Sequence, residues 1–256
     1  MRAADFAAAA RRTALAAFDR VARYAFPPVC LVCGAARDDE GVFDICSACA
    51  SSLSPVGRHA CRRCAIPIDG ELAGAGIVLC GDCRISPPPF DAAVAALRYG
   101  GKTRELIHRY KFAGKARLAG ALGPLLCAAL NRAGVMEGVD LVIPVPLHRR
   151  RLFQRGYNQS WLLAVEVGKA FGVPVAADLL ARARHTKPQF ALSRADRRKN
   201  IKDAFTVPLP GGRLEGKAAL LVDDIMTTGV TLGEAARTLK KEGATRVVCA
   251  VAARAE

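Results

Sequence analysis

The chain has 256 residues, of which 52% are hydrophobic, and its formal net charge is +15 at pH 7. This length is sufficient for one full-sized domain and a smaller module around a buried core. No run of 18 or more uncharged apolar residues occurs, which argues against a membrane span and favours a cytoplasmic globular protein.

The first predicted element is an N-terminal helix, which we assign to residues 1–28. Between residues 5 and 26 the apolar residues recur at the spacing of an amphipathic helix. The apolar face consists of Phe6, Leu15, Phe18, Val21, Ala22 and Ala25. Pro27 and Pro28 predict the end of the helix. Docking of this face onto the following domain is favoured over binding to a membrane surface.

Eight of the ten cysteines form four Cys-x-x-Cys pairs, and they define a module at residues 29–85 that we assign as a double zinc ribbon. The pairs are Cys30 with Cys33, Cys46 with Cys49, Cys61 with Cys64, and Cys80 with Cys83. Each Cys-x-x-Cys turn can place two thiolates on one tetrahedral ion, so two turns complete a four-cysteine site. Eight ligands predict two zinc ions, which are structural because the pattern leaves no open coordination position.

The zinc interpretation has alternatives. Sequential pairing of the turns, first with second and third with fourth, is favoured over interleaved pairing. Redox-active pairs are the competing function, but four copies without a thioredoxin-like context favour metal, and iron is a chemically feasible occupant. Cys127 and Cys249 fall inside apolar runs and are expected in the core.

A Pro-rich stretch, "SPPPF" at residues 86–90, predicts a stiff linker because consecutive prolines favour extended geometry. Residues 91–256 form the second predicted domain, in which short apolar runs alternate with helical patterns. The predicted strands are 92–99, 140–146, 218–224 and 246–253, and the predicted helices are 103–111, 116–132, 157–171 and 230–242. This alternation predicts an α/β fold with a mostly parallel sheet, helices on both faces and a ligand site at the carboxyl ends of the strands.

The segment "LLVDDIMTTGVT", residues 220–231, places two acids directly after a buried apolar run. Asp223 and Asp224 can accept hydrogen bonds from two neighbouring hydroxyl groups. The residues that follow, 227–231, offer backbone N–H groups, three hydroxyls and a glycine just before a helix, which suits a phosphate. A turn with a threonine N-cap explains Thr231 but not the acidic pair. A vicinal diol beside a phosphate monoester indicates a ribose 5-phosphate ligand.

This segment resembles the phosphoribosyl pyrophosphate (PRPP) signature of type I phosphoribosyltransferases. By that resemblance, Asp223 and Asp224 contact the ribose hydroxyls. The 5-phosphate is held by Thr227, Thr228, Gly229, Val230 and Thr231. The purine-salvage members of that class often have an aspartate general base where this chain has Thr227, so the resemblance assigns no catalytic base here. PRPP binding by such a site implies magnesium.

Two further segments, residues 143–160 and 182–205, resemble the ComF family when they are taken together with the cysteine module. Members of that family are competence-related, phosphoribosyltransferase-like proteins with an N-terminal double zinc ribbon, and the resemblance covers nearly the whole chain. It implies a pyrophosphate loop made by Pro146, Leu147, His148 and Arg149. Residues 182–202 contain eight Lys and Arg residues against one acid, Asp196. This charge indicates a flap that closes over PRPP or, equally, a contact with DNA. The candidate residues for the flap or the DNA contact are Arg155, Arg194, Arg197, Arg198 and Lys199.

The positive charge is concentrated in the second domain, which contains 28 Lys and Arg residues but only 14 Asp and Glu residues. This excess predicts a polyanionic partner, although a merely solvated basic surface is the alternative. Two functions fit. One is a phosphoribosyltransferase that binds PRPP and magnesium. The other is a non-catalytic factor that binds single-stranded DNA, with DNA-uptake proteins as the partners that the resemblance implies.

Overall fold

The structure of the protein is a computed structural model that describes residues 28–37, 44–57, 59–68, 78–184, 199–208 and 213–256. The predicted N-terminal helix lies outside these residues except for its last position. Arg194, Arg197 and Arg198 of the predicted basic segment also lie outside them. Lys199 is described and is exposed.

A four-stranded parallel sheet forms the centre of the larger domain. Its strands are β1 (Ala92–Arg98), β2 (Leu141–Pro144), β5 (Ala218–Met226) and β6 (Arg246–Arg254). They are arranged in the order β1-β6-β5-β2. Two short strands, β3 (Ala181–Arg182) and β4 (Phe205–Thr206), pair antiparallel beside this sheet. The strands of the parallel sheet are continuous apolar runs because both faces of the sheet are buried.

Helices cover both faces of the sheet, which confirms the predicted fold class. The helices are α1 (Ser47–Ser51), α2 (Gly81–Ile85), α3 (Gly101–Phe112), α4 (Ala119–Ala133), α5 (Arg149–Arg155), α6 (Gln159–Phe171) and α7 (Val230–Lys241). In β5, Leu220 packs in the cluster with α3, α4 and α6, whereas its neighbour Leu221 packs in the cluster with α7. Among the described helices, none is both long and apolar enough to cross a bilayer.

The cysteine module packs against the first strand of the sheet. The Val56 N–H donates to the Ala96 carbonyl at 2.9 Å, and the Arg98 N–H donates to the Ser54 carbonyl at 2.7 Å. These antiparallel contacts cover β1, which would otherwise be an open edge of the sheet. Phe90, the last residue of the predicted linker, is fully buried. The linker therefore ends inside the core, and the domain boundary at residues 86–90 stays a prediction.

Several element boundaries differ from the predictions. Strand β5 continues to Met226, two residues beyond its predicted end, so the acidic pair lies inside the carboxyl-terminal part of the strand. Helix α5 was not predicted, because a run of arginines has no apolar periodicity. It forms because the His148 side chain accepts a hydrogen bond from the Arg150 N–H at its start, and Gly156 ends it with φ of 77°.

Candidate functional site

The acidic pair, the Thr-rich turn and the predicted pyrophosphate loop lie at the carboxyl ends of β2 and β5. These two strands pair in register, with Pro144 opposite Val222, and the Val145 N–H continues the pairing by donating to the Val222 carbonyl. The loop that contains Pro146 to Arg149 therefore begins beside the acidic pair of β5. The parallel sheet thus brings together two segments that lie far apart in the sequence.

The two carboxylates have different partners. Asp223 accepts hydrogen bonds from the Ser160 hydroxyl at 2.9 Å and from the Asp224 N–H at 2.8 Å. Asp224 forms an ion pair with the Lys111 ammonium at 2.8 Å. Burial and, after it, the neighbouring charge of Asp224 together raise the pKa of Asp223 to about 6, against the opposing effect of Lys111. The pair therefore forms a partly desolvated acceptor site for hydroxyl groups.

Lys111 was not among the predicted site residues. The last turn of α3 is fixed to the start of α6 by three hydrogen bonds: Tyr110 Oη to the Gln159 carbonyl, Tyr157 Oη to the Tyr110 carbonyl, and Gln159 Nε2 to the Lys111 carbonyl. These contacts hold the Lys111 side chain over β5. A lysine near the end of a helix is ordinarily solvated, so the sequence carries no signal that this one faces Asp224.

The Lys111 and Asp224 pair is buried, with side-chain exposures of 17% and 8%. Replacing Lys111 by Met is expected to destabilise the folded chain by about 3 kcal/mol, because it leaves a buried carboxylate without its cation. Chemical denaturation of Lys111→Met, Asp224→Asn and the double variant measures this coupling. The double variant is expected to be more stable than Lys111→Met alone, whereas a Lys111→Met variant as stable as the natural chain would contradict the pairing.

The Thr-rich segment forms the turn between β5 and α7. Gly229 is the N-cap of α7 and has φ of 73°, a left-handed conformation that favours glycine. The first backbone N–H groups of a helix have no intrahelical acceptor and attract anions. The Thr228 Oγ1 atom is buried, and no atom of the described residues forms a hydrogen bond with it. A buried hydroxyl without a partner is unfavourable, so a ligand oxygen fits this position.

Two arginines near the acidic pair, Arg151 and Arg182, are partly buried. Burial lowers the pKa of Arg151, and the positive charge of Arg155 adds to the effect. Burial lowers the pKa of Arg182 to about 10, with a contribution from Arg151 that the charge of Asp223 opposes. Arg182, on β3, was not predicted as a site residue. Several cations that are partly desolvated and repel one another are typical of a site for a multiply charged anion.

The eight module cysteines gather in two groups of four. Cys30, Cys33, Cys46 and Cys49 form the first cluster, and Cys61, Cys64, Cys80 and Cys83 form the second; within each cluster all sulfur atoms lie within 4.8 Å of one another. Although burial opposes it, hydrogen bonds from backbone N–H groups lower the pKa of Cys30 to about 6 and that of Cys61 to about 7. Thiols with a lowered pKa readily give the thiolates that bind a tetrahedral metal ion. The grouping confirms sequential pairing, the first turn with the second and the third with the fourth.

Two family models match the chain. A double zinc ribbon domain matches residues 21–84, and a phosphoribosyl transferase domain matches residues 150–256. The DNA utilization protein YhgH of Escherichia coli O157:H7 is 34% identical over 210 residues, which are 81% of this chain and 88% of that protein. Competence protein F of Haemophilus influenzae is 30% identical over 215 residues, which are 83% of this chain and 85% of that protein.

The chain belongs to the ComF family. Competence protein ComFC of Bacillus subtilis is a more distant relative, 24% identical over 205 residues that cover 78% of this chain and 79% of that protein. In this ComF-family chain the two four-cysteine clusters are the zinc-binding sites of the ribbon, as predicted.

Part of the candidate site precedes the matched phosphoribosyl transferase domain. The four residues of the predicted pyrophosphate loop and Lys111 all lie before residue 150. In this ComF-family chain the pairing of β2 with β5 nevertheless places the loop beside Asp223 and Asp224, and the packing of α3 brings Lys111 to Asp224. The roles of all these residues in ligand binding stay predictions.

Proposed function

We propose that this chain binds PRPP together with magnesium at the carboxyl ends of β2 and β5. The main observation in support is the position of the buried acidic pair, Asp223 and Asp224. It lies directly before the turn and helix N-terminus at residues 227–231 and beside the loop at residues 146–149. In this arrangement the acids accept hydrogen bonds from the ribose hydroxyls and the turn holds the 5-phosphate. The arginine-backed loop faces the pyrophosphate.

The same geometry supports ribosyl transfer. Transfer replaces the bond between the anomeric carbon of the ribose and a pyrophosphate oxygen by a bond to the acceptor, so negative charge develops on the departing pyrophosphate. Arg149, Arg151 and Arg155 would face that charge, and magnesium bound with PRPP would supply further neutralisation. The acids and the phosphate turn fix the ribose in position. Thr227 supplies no carboxylate base, so an acceptor that needs no deprotonation by this residue fits best.

Thermal denaturation with separate parts of the ligand tests this proposal. A ligand that binds only the folded state raises the melting temperature according to its affinity. With magnesium present, PRPP is expected to stabilise the chain more than ribose 5-phosphate or pyrophosphate alone, because only PRPP engages both loops. Equal effects of PRPP and pyrophosphate would contradict the ribose site.

We propose binding of single-stranded DNA as a second candidate function, on the basis of an aromatic and basic surface that shares Arg149 and Arg155 with the proposed PRPP site. Phe153 is 92% exposed and Phe112 is 61% exposed, which is unusual for large apolar side chains. The Arg155 guanidinium lies 4.8 Å from the centre of the Phe112 ring. An open groove of about 430 Å³ is lined by Arg149, Arg150, Phe153 and Gln154. Aromatic rings interleaved with arginines suit stacked bases and a phosphate backbone.

The names of the relatives, DNA utilization and competence proteins, support this second candidate. We expect Phe153→Ala and Phe112→Ala each to weaken binding of a labelled thymidine oligonucleotide roughly ten-fold, since stacking contributes about 1–3 kcal/mol per base. Fluorescence anisotropy measures the affinity, which should also fall steeply with salt. Ile85→Ala is the control, because Ile85 is 87% exposed but belongs to the ribbon. An unchanged affinity in both Phe variants would contradict the stacking surface.

A further inference from the structure

Arg254, near the end of β6, is a buried cation whose hydrogen bonds go to backbone carbonyl groups. Its side chain is 6% exposed. Nε donates to the Cys64 carbonyl at 2.8 Å, and Nη1 donates to the Thr227 carbonyl at 2.6 Å, to the Met226 carbonyl at 3.4 Å and to the Ala255 carbonyl. No carboxylate pairs with it in the described part of the chain. A guanidinium buried in this way requires a reason, because charged groups are costly to desolvate.

One end of this contact lies in the ribbon. Cys64 is a ligand of the second zinc site, and the turn that contains it is fixed to the sheet domain. The Ala93 N–H donates to the Arg62 carbonyl at 3.1 Å, and Arg63 Nη2 donates to the Pro88 carbonyl at 3.1 Å. A zinc ion with four thiolates has a net charge of about −2, which provides the counter-charge that Arg254 lacks.

The other end lies in the predicted phosphate turn. In a trans peptide unit the C=O and the following N–H point in opposite directions. The Met226 carbonyl also accepts a hydrogen bond from the Ala255 N–H at 2.9 Å, so the Thr227 carbonyl is the group that depends on Arg254. Because the Thr227 carbonyl points towards Arg254, the N–H group of Thr228 points away from it. Arg254 thereby orients this donor of the turn towards the ligand side.

Among the described residues, no hydrogen bond joins a cysteine of the first zinc site to Arg254 or to the turn of residues 226–231. Its cysteines Cys30 and Cys49 pack in the core cluster with α3 and α4. Beside this site, Asp44 pairs with Arg117, ahead of α4. The two zinc sites have similar ligands but different neighbours, so each serves as the control for the other.

We infer that Arg254 is a positioning residue that couples metal occupancy of the second zinc site to ligand binding at the turn of residues 226–231. This inference rests on the proposed PRPP site. With the metal bound, the Cys61 to Cys64 turn fixes Arg254, and Arg254 holds the Thr228 N–H group in place. Coupling between two binding sites is reciprocal, so the ligand must also retain the metal of the second site.

The first experiment is independent of any ligand and measures amide hydrogen exchange of residues 226–231 in the full chain. Cys80→Ser removes one ligand of the second zinc site, and Cys33→Ser is the matched change in the first. Exchange of this segment is expected to rise about ten-fold in Cys80→Ser and in Arg254→Met and to stay near the natural value in Cys33→Ser. An unchanged segment in Arg254→Met overturns the inference, and so do equal effects of the two cysteine variants.

The second experiment adds a chelator and an alkylating reagent to the natural zinc-loaded chain and identifies the labelled cysteines by mass spectrometry. Saturating PRPP with magnesium is expected to slow labelling of the second zinc site about five-fold or more, to leave the first unchanged, and to lose this effect in Arg254→Met. Equal protection of both sites, or protection that persists in Arg254→Met, overturns the coupling. If PRPP does not bind, the proposed function fails and the exchange experiment alone decides the role of Arg254.

Discussion

Replacing Asp223 and Asp224 together by Ala is expected to abolish the thermal stabilisation by PRPP and magnesium while the ligand-free chain stays folded. In the proposed complex each acid accepts a hydrogen bond from the ribose, and a hydrogen bond to a charged group contributes about 1.5–3 kcal/mol. Loss of both is expected to weaken binding by more than about 100-fold. The adjacent helix N-terminus alone then holds only the phosphate.

The control for this variant is Asp178→Ala. Asp178 is an exposed acid that pairs with Arg213 and has no described contact with the site. It should leave the PRPP-induced shift intact. The Asp223→Asn and Asp224→Asn double variant keeps the side-chain volume and separates charge from packing. PRPP stabilisation that survives in both double variants would refute the assignment of the ribose hydroxyls to this pair.

Removal of the metal is expected to have the largest effect on stability. Structural zinc contributes about 10–16 kcal/mol to the folding of small zinc-finger peptides, so the ribbon should not remain folded without it. Its unfolding would expose β1, which now pairs with Ser54 and Val56. An exposed edge strand promotes aggregation. Elemental mass spectrometry is expected to find about two zinc ions per chain. Light scattering is expected to rise after the zinc is removed by a chelator, because the exposed strand aggregates.

The contrary result would be a metal-free chain with an unchanged unfolding transition. That outcome would mean that the ribbon keeps its contacts with β1 when no metal is bound to its two cysteine clusters. If chelation does destabilise the chain, a comparison of Cys33→Ser with Cys80→Ser shows which zinc site the sheet domain requires, because only the second is linked to it through Arg254.

The sequence predicted those features that follow from local spacing. Four Cys-x-x-Cys turns define two tetrahedral sites, and apolar runs alternating with helical patterns define a parallel sheet. The carboxyl ends of parallel strands meet at one edge, so the acidic pair after residue 222 could be placed beside the loop after residue 144. The family resemblance added the ligand that these loops suit.

Features that depend on tertiary contacts could not be predicted from the sequence. Lys111 and Arg254 each read as ordinary basic residues near the ends of elements, and only the packing of α3 and β6 brings them to the site. Phe90 followed three prolines and was assigned to a linker, yet it fills the core. Helix α5 was missed because its amphipathic pattern is absent, and it depends on the caps at His148 and Gly156.

Isothermal titration of the zinc-loaded chain with PRPP and magnesium tests the central claim most directly. The arrangement of the acidic pair, the phosphate turn and the arginine-backed loop predicts saturable binding with a dissociation constant on the order of micromolar, equivalent to about −8 kcal/mol. Omission of magnesium should weaken this binding. Absence of a binding signal at millimolar PRPP would contradict the account. Binding of single-stranded DNA at the surface around Phe112 and Phe153 would then be the function to pursue.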